Sequence, residues 1–516
     1  MREQLALLPG YLAAHLELTL VALALGAALA LPLGVAVHRR PRWEPLVLGV
    51  ASAIQTVPSL ALLAVMVPLF AALGVALAGS GLEIRGIGAL PALVALTLYS
   101  LLPMLRNTVT GLAELDPAVL EAARGVGMTP RQQLWRVELP LAGPVIVAGV
   151  RTAAIWVVGT ATLSTPIGAT SLGNYIFSGL ATRNDAAILV GCLAAAALAL
   201  ALDQTIRLLE AGVRRRRRAW WATAAALLAA LYVHVGVAFA VERLGGEADP
   251  VRIGSKPFTE QYVLAEVLAQ RVSAATGHAT ASLPSLGSTV AFDALAADDL
   301  DLYVDYSGTI WATIMKREGS RPDRAALLEQ VRRFLADEHG IEVVAALGFE
   351  NTYALAMRRD RAEGLGVARL SQLGPLTPRL SVGGDYEFFA RAEWRDLVAA
   401  YGLRFGEERS MDPALLYAAA DAGEVDLISA YSTDGRIAAL GLVLLEDDRA
   451  VIPPYDALVL ASPALARERP EVLAALRPLA GAIEAETMRR LNHAVDAGGQ
   501  GPAGVAARFL SERAEP

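Results

Sequence analysis

The sequence predicts an all-α membrane-spanning half followed by an α/β half, and three observations carry that prediction. Apolar runs as long as a bilayer is thick crowd residues 1 to 245, charge returns at 249 and persists to the end, and short Val/Ile/Leu runs in that second part alternate with helical stretches. Composition agrees. Of 516 residues, 54% are hydrophobic and 19% charged, too apolar for a wholly water-soluble enzyme and too charged for a chain lying in lipid throughout. Lys+Arg 45 against Asp+Glu 52 leaves −7, so no basic excess points to nucleic acid. With one cysteine, Cys192, an internal disulfide and a Cys-based metal cluster are both impossible. A chain this rich in Leu, Val and Ala, with dispersed charge, is not disordered in the main.

A hydrocarbon core about 30 Å thick takes about 20 helical residues to cross. Six stretches meet that test: 18–37, 46–79, 87–105, 141–163, 186–201 with a polar continuation, and 219–241. The second is too long for one upright span and holds Pro58 and Pro68, each of which removes a backbone donor and favours a kink. Loop charge decides how to count it. His38-Arg39-Arg40-Pro41-Arg42, the loop with Arg124, Arg131 and Arg136, and the arginine run 214–218 share one side only if 46–79 crosses once. Cytoplasmic loops gather Lys and Arg, so the expectation is six spans, N-terminus outside, with everything after Val241 exported. The first residues hold one Arg and no small-residue cleavage pattern, unlike a cleavable signal peptide.

The loop between the third and fourth spans is too polar for lipid and too patterned for a plain connection. Asp116-Pro117 fits a helix start, the Asp capping free amides and the Pro suiting the first turn. Residues 118–124 are strong helix formers, Gly125 and Gly127 break the helix, and Thr129-Pro130 starts a second one that runs into Leu139-Pro140. The series Glu121-Ala122-Ala123, three residues, Gly127, nine residues, Val137, one residue, Leu139-Pro140 resembles the coupling loop of ABC importer permeases, with Val137 where Ile is common. The resemblance implies that this loop fits a groove on a cytoplasmic ABC ATPase subunit. Segments 55–63, 98–108 and 159–163 are similar to permeases of the glycine betaine, choline and osmoprotectant branch. Gln55, Asn107 and Thr160 within them are costly in lipid and face protein or an aqueous path. No ATPase is encoded: a P-loop needs a lysine after glycine, and Lys256 and Lys316, the only lysines, do not follow one.

From Val251 onward the alternation is that of an α/β domain: 251–254 before 259–274, and 300–304 before 323–336. Extended segments near 352–357 and 452–459 can cross between two lobes, leaving a cleft. Ile253-Gly254-Ser255-Lys256-Pro257-Phe258-Thr259-Glu260-Gln261-Tyr262, Gly287-Ser288-Thr289, Asp305-Tyr306-Ser307-Gly308-Thr309, Asn351-Thr352-Tyr353, Asp385-Tyr386-Glu387-Phe388 and Tyr431-Ser432-Thr433-Asp434-Gly435-Arg436 resemble substrate-binding proteins for quaternary ammonium solutes. Asp305 stands where Glu is usual and Leu286 where Gly is frequent. The fold class implied is a five-span importer core plus one tether span, fused to a two-lobe α/β domain of the periplasmic-binding-protein kind. The expected division is a permease domain over 1–213, a basic cytoplasmic segment and tether helix over 214–248, and an extracytoplasmic substrate-binding domain over 249–516. Within the last, lobe one is 251–348 with 459–516, and lobe two is 349–458.

A trimethylammonium group has no N–H to donate, so ring faces must recognise it, each desolvated contact contributing about 1 to 2 kcal/mol. The resemblance selects Tyr306, Tyr431 and Tyr386 for the cage, with Phe258 and Tyr353 weaker. Gln261, Ser288, Thr289 and Thr352 suit a solute carboxylate, Asp305 or Asp385 adds attraction for the cation, and Arg436 is expected to pair with a carboxylate of the chain. Each tyrosine competes with a plain packing role, which most of the further tyrosines, among them Tyr303, Tyr417 and Tyr455, are expected to fill. The function implied is an ATP-driven importer of glycine betaine, choline or carnitine type, or an ergothioneine importer of the same fused build, in the bacterial plasma membrane. The permease is expected to pair as a homodimer. This chain holds no cofactor or metal, and ATP sits on the partner subunit. A membrane-anchored receptor would leave the coupling loop idle and has no output domain. A hydrolase lacks a ligand cluster, since His15, His38, His234, His278, His339 and His493 are scattered.

Overall fold

The computed structural model describes residues 2–77, 84–182, 184–215, 217–244, 249–317 and 323–514. Two compact units divide the chain, Met1–Phe177 with Ala186–Glu247, and Ser178–Asp185 with Ala248–Pro516.

In the first unit, five helices among the described residues are long and apolar enough to cross a membrane: Gln4–His38, Ala89–Ala113, Pro130–Ile167, Asp185–Arg214 and Arg218–Val237. Stretch 46–79 contributes a broken pair instead, Pro41–Thr56 and Ser59–Gly74, bent by 98°. The break falls at Val57 (φ −67°, ψ 128°), because a residue before proline is pushed out of the α region. Pro68, by contrast, is absorbed inside helix Ser59–Leu77. The Val57 carbonyl freed at the break accepts the Tyr99 hydroxyl, which satisfies a polar group that lipid cannot.

Close contacts fix the helix directions. A side chain at Gly26 would overlap Ser100 and one at Gly34 would overlap Thr108, so helix Gln4–His38 runs parallel to Ala89–Ala113. Two parallel neighbours require one net return between them, and the broken pair supplies it. Gly111 packs on Val145 and Gly149 on Asn107, which makes the next helix antiparallel. Arg151 reaches Glu210 at 2.7 Å while Val158 shares a cluster with Leu202, so Asp185–Arg214 reverses again. Gly212 abuts Trp221, and Leu202 clusters with Val235. The last helix therefore ends on the face where the first begins, and the arginines at 39–42, those of 114–138 and those at 214–215 and 217–218 gather at the opposite face. Gln55 donates to the Tyr99 carbonyl at 3.5 Å and Asn107 to that of Pro103 at 2.9 Å, and Thr160 is buried.

At that basic face Asp116 accepts from the Ala118 amide at 2.9 Å and starts helix Pro117–Gly125. Gly127 turns the chain at φ +80°, a conformation glycine adopts without a Cβ penalty. Thr129 and Gln132 cap the second helix reciprocally, each side chain meeting the other's amide. This helix does not stop at Leu139-Pro140 but continues to Ile167. A π turn over Leu134–Glu138, closed by the Leu139 amide on the Leu134 carbonyl, shifts the ladder where Pro140 has no N–H to give. Glu138, buried there, accepts from Arg39 at 2.7 Å and Gln133 at 2.8 Å.

Among its described residues the second unit holds ten strands: β1 Val251–Gly254, β2 Thr280–Leu283, β3 Leu302–Tyr306, β4 Glu342–Glu350, β5 Tyr353–Arg358, β6 Ser381–Gly384, β7 Glu407–Ser410, β8 Leu427–Tyr431, β9 Leu442–Leu444 and β10 Asp456–Ala461. They form two five-stranded sheets, β2-β1-β3-β10-β4 and β7-β6-β8-β5-β9. Parallel pairing of β1 with β2 and β3 needs crossovers, which helices Thr259–Thr276 and Ser288–Ala296 provide. β10 is antiparallel to β3 and β4. The chain thus passes between the sheets twice, at 351–352 and again between β9 and β10.

Candidate functional site

β5 and β8 pair antiparallel with Tyr353 opposite Tyr431, and this register sets two rings side by side at the end of the second sheet. Their centroids lie 5.0 Å apart at 43°. Phe258, just before helix Thr259–Thr276, stacks on Tyr431 at 5.4 Å and 15° and on Tyr306 at 6.3 Å and 27°. Tyr306 is the last residue of β3, opposite Ala457 of β10. Four rings from separate elements therefore meet at the crossing between the sheets. They line a cavity of about 230 Å³ together with Lys256, Ser288, Asn351, Asp385, Arg391, Ser429, Arg436 and Tyr455.

The cavity combines ring faces with donors. Arg391 is buried, its guanidinium 5.2 Å from the Tyr353 ring centroid and paired with Glu387, while its Nε has no partner. Burial works against that charge, but Tyr353, Glu387, Tyr455 and Glu393 around it hold the shift upward. Ser429 Oγ and Asn351 Oδ1 are likewise buried without partners. Lys256 Nζ meets Asp305 at 2.5 Å and lies 5.5 Å from the Tyr306 ring centroid. Asp385 caps helix Tyr386–Ala390 through the Phe388 amide at 2.7 Å, and burial raises its carboxyl above the ordinary value. Unpaired buried polar groups are costly, and here they stand beside aromatic rings on the same cavity.

Of the residues selected from the sequence, Tyr306, Tyr431, Phe258, Tyr353 and Ser288 line the cavity. The Tyr386 side chain lies outside the described residues. Gln261, Thr289, Asp305 and Thr352 are not among the lining residues. Gln261 is buried and donates to the Tyr306 hydroxyl at 3.1 Å, and Asp305 accepts from Lys256, from the Tyr303 hydroxyl at 2.7 Å and from the Tyr306 amide at 2.7 Å. Thr289 is exposed, and Thr352 lines a separate groove behind the crossing with Asp323 and Glu446. Arg436 pairs with Asp434 at 2.5 Å and covers the Tyr417 ring at 3.8 Å.

Sequence reasoning passed over Lys256, Asn351, Arg391 and Ser429. Lys256 and Asn351 stand inside quoted motifs. Arg391 had one signal, its spacing of four from Glu387, which puts opposite charges on one helical face. Among the described residues no group of three or more His, Cys, Asp or Glu can hold a metal ion.

Comparison with known proteins follows the same division. Residues 249–512 match the substrate binding domain of the ABC-type glycine betaine transport system, and residues 22–215 match the binding-protein-dependent transport system inner membrane component. An ergothioneine transport permease/ergothioneine binding protein of Helicobacter pylori is 28% identical over 93% of this chain and 85% of its own length. The permease of a Bacillus subtilis choline transport system is 41% identical over 38% of this chain and 83% of its own. A carnitine transport binding protein of Listeria monocytogenes is 30% identical over 52% of this chain and 89% of its own.

Proposed function

Because this chain belongs to the family of ABC-type glycine betaine transport components, joining an inner-membrane permease to a substrate-binding domain, we propose that it imports a quaternary ammonium solute that also carries a carboxylate. One observation supports the reading: the rings of Phe258, Tyr306, Tyr353 and Tyr431 line the same cavity as a buried Arg391 whose Nε lacks a partner. Rings attract a fixed cation that cannot donate, and a guanidinium is suited to a carboxylate. Lys256 and the Ser429 hydroxyl add donors on the same cavity. Choline offers the cation without the carboxylate, so glycine betaine and carnitine fit the lining better.

In this reading the arginine-bearing ends at 38–42, 114–138 and 214–218 face the cytoplasm, since cytoplasmic loops gather Lys and Arg, and the N-terminus and the binding domain lie outside the bacterial plasma membrane. On the inner side Glu121, Ala122, Ala123, Gly127, Leu139 and Pro140 meet a separate ABC ATPase subunit that carries the ATP, and exposed Val126 and Trp135 supply apolar contact. One five-span core supplies half a pathway, so two copies pair. Tethering the binder raises its effective concentration at the permease to about millimolar.

Ergothioneine is the second reading, favoured by the fused relative from Helicobacter pylori, which spans both halves. It too joins a trimethylammonium to a carboxylate. Calorimetry on the full chain in lipid nanodiscs, with glycine betaine, carnitine, ergothioneine and choline in turn, tests the proposal. A carboxylated solute should bind at least tenfold more tightly than choline; choline binding as well as the best of them would refute it.

A further inference from the structure

Glu260, the second residue of helix Thr259–Thr276, does not line the cavity yet is tied to two residues that do. It is 2% exposed and accepts four side-chain hydrogen bonds from four different parts of the unit. Tyr306 Oη donates to its Oε1 at 2.5 Å and Asn351 Nδ2 to the same oxygen at 3.0 Å. Asn492 Nδ2 donates to Oε2 at 3.2 Å, and the Thr433 hydroxyl also donates to Oε2. In all four bonds the carboxyl is the acceptor, the role that the ionised form fills. The amide end of its helix favours that negative charge, although burial pulls the carboxyl upward.

This geometry has a consequence for the cage. A phenol that donates to an anion in a low-dielectric interior is polarised along the bond, which enriches the ring face in electrons. Cation attraction depends on that face. We propose that Glu260 is a positioning residue for the solute cation: through the Tyr306 hydroxyl it fixes the ring's angle and makes its face more negative, without touching the solute. The inference rests on the quaternary ammonium reading given above. Gln261, which donates to the same hydroxyl at 3.1 Å, fills the oxygen's acceptor side and leaves its proton to Glu260.

The test is a double-mutant cycle on the full chain in nanodiscs, titrated with glycine betaine by calorimetry. Glu260→Gln keeps the shape and removes the charge, and it should weaken binding at least fivefold. Tyr306→Phe keeps the ring and removes the link, and it should weaken binding at least threefold. In the Tyr306→Phe background, Glu260→Gln should then change the dissociation constant by less than twofold. A purely structural role would give the same loss in both backgrounds, and that result overturns the inference. So does unchanged affinity in Tyr306→Phe, which stands as a test by itself if Glu260→Gln does not fold. Failure of the unmodified chain to bind glycine betaine or any other trimethylammonium solute would overturn the functional reading and this inference together, whereas binding by the unmodified chain with equal affinity in every variant overturns the inference alone.

Discussion

Replacing Tyr431 separates a recognition ring from a packing ring. Tyr431 contacts Phe258 at 5.4 Å and Tyr353 at 5.0 Å, and among the described residues its hydroxyl reaches only the Tyr353 hydroxyl at 3.4 Å, a long contact worth little. Tyr431→Phe keeps the face and loses that contact, so solute affinity should stay within about twofold. Tyr431→Leu removes the face but keeps an apolar side chain against Phe258. The loss is then one desolvated ring contact, about 1 to 2 kcal/mol, which corresponds to about 5- to 30-fold in the dissociation constant. Calorimetry with glycine betaine on the full chain in nanodiscs reads both variants. If Tyr431→Leu binds within twofold of the unmodified chain while Tyr431→Phe is normal, the ring does not face the cation and the cage is misassigned.

Other consequences can be measured alongside. Arg391→Gln should weaken glycine betaine by about tenfold or more, from the 1.5 to 3 kcal/mol of a hydrogen bond to a charged group, and leave choline nearly unaffected; equal loss for both solutes would deny Arg391 its carboxylate. Gly127→Val forces a branched side chain to φ +80°, at a cost of about 1 to 2 kcal/mol. Uptake into proteoliposomes holding the ATPase subunit should collapse while solute binding persists, and undiminished uptake would count against the docking role. Burial raises Glu260 above its ordinary 4.5, so the stability this group contributes is full below that value and is lost as pH rises through the raised one. The melting temperature of the unmodified chain relative to Glu260→Gln should therefore climb as pH is lowered towards 4.5, and a flat difference would contradict the shift.

Much of this architecture is legible in the residues because hydropathy and capping act locally. The change of character near 249 needs no tertiary knowledge, and Asp116 and Thr129, read as helix starts, cap the helices Pro117–Gly125 and Pro130–Gln133 in the structure. Proline is less decisive. Pro58 marks a 98° bend whereas Pro68 sits within a continuing helix, and only at the first does Tyr99 reach the freed carbonyl. The strands near the crossing follow from their apolar runs, but the pairing of Tyr353 with Tyr431 does not, since it depends on the β5–β8 register. Arg391 stood outside every motif for the same reason: its role arises where Tyr353 folds over it. Asp305, read from its motif as an attraction for the solute cation, holds the Lys256 ammonium in the structure, a partner 49 residues away in sequence.

If ring faces recognise fixed positive charge while a carboxylate is held beside it, a pair of matched ligands will show it. Glycine betaine and 3,3-dimethylbutanoate share a shape and a carboxylate and differ in the charge on the quaternary centre. Titrated into the full chain, glycine betaine should bind at least thirtyfold more tightly, the sum expected from about two ring contacts of about 1 kcal/mol or more. Equal affinity for the uncharged analogue would show that the cavity reads shape and carboxylate alone.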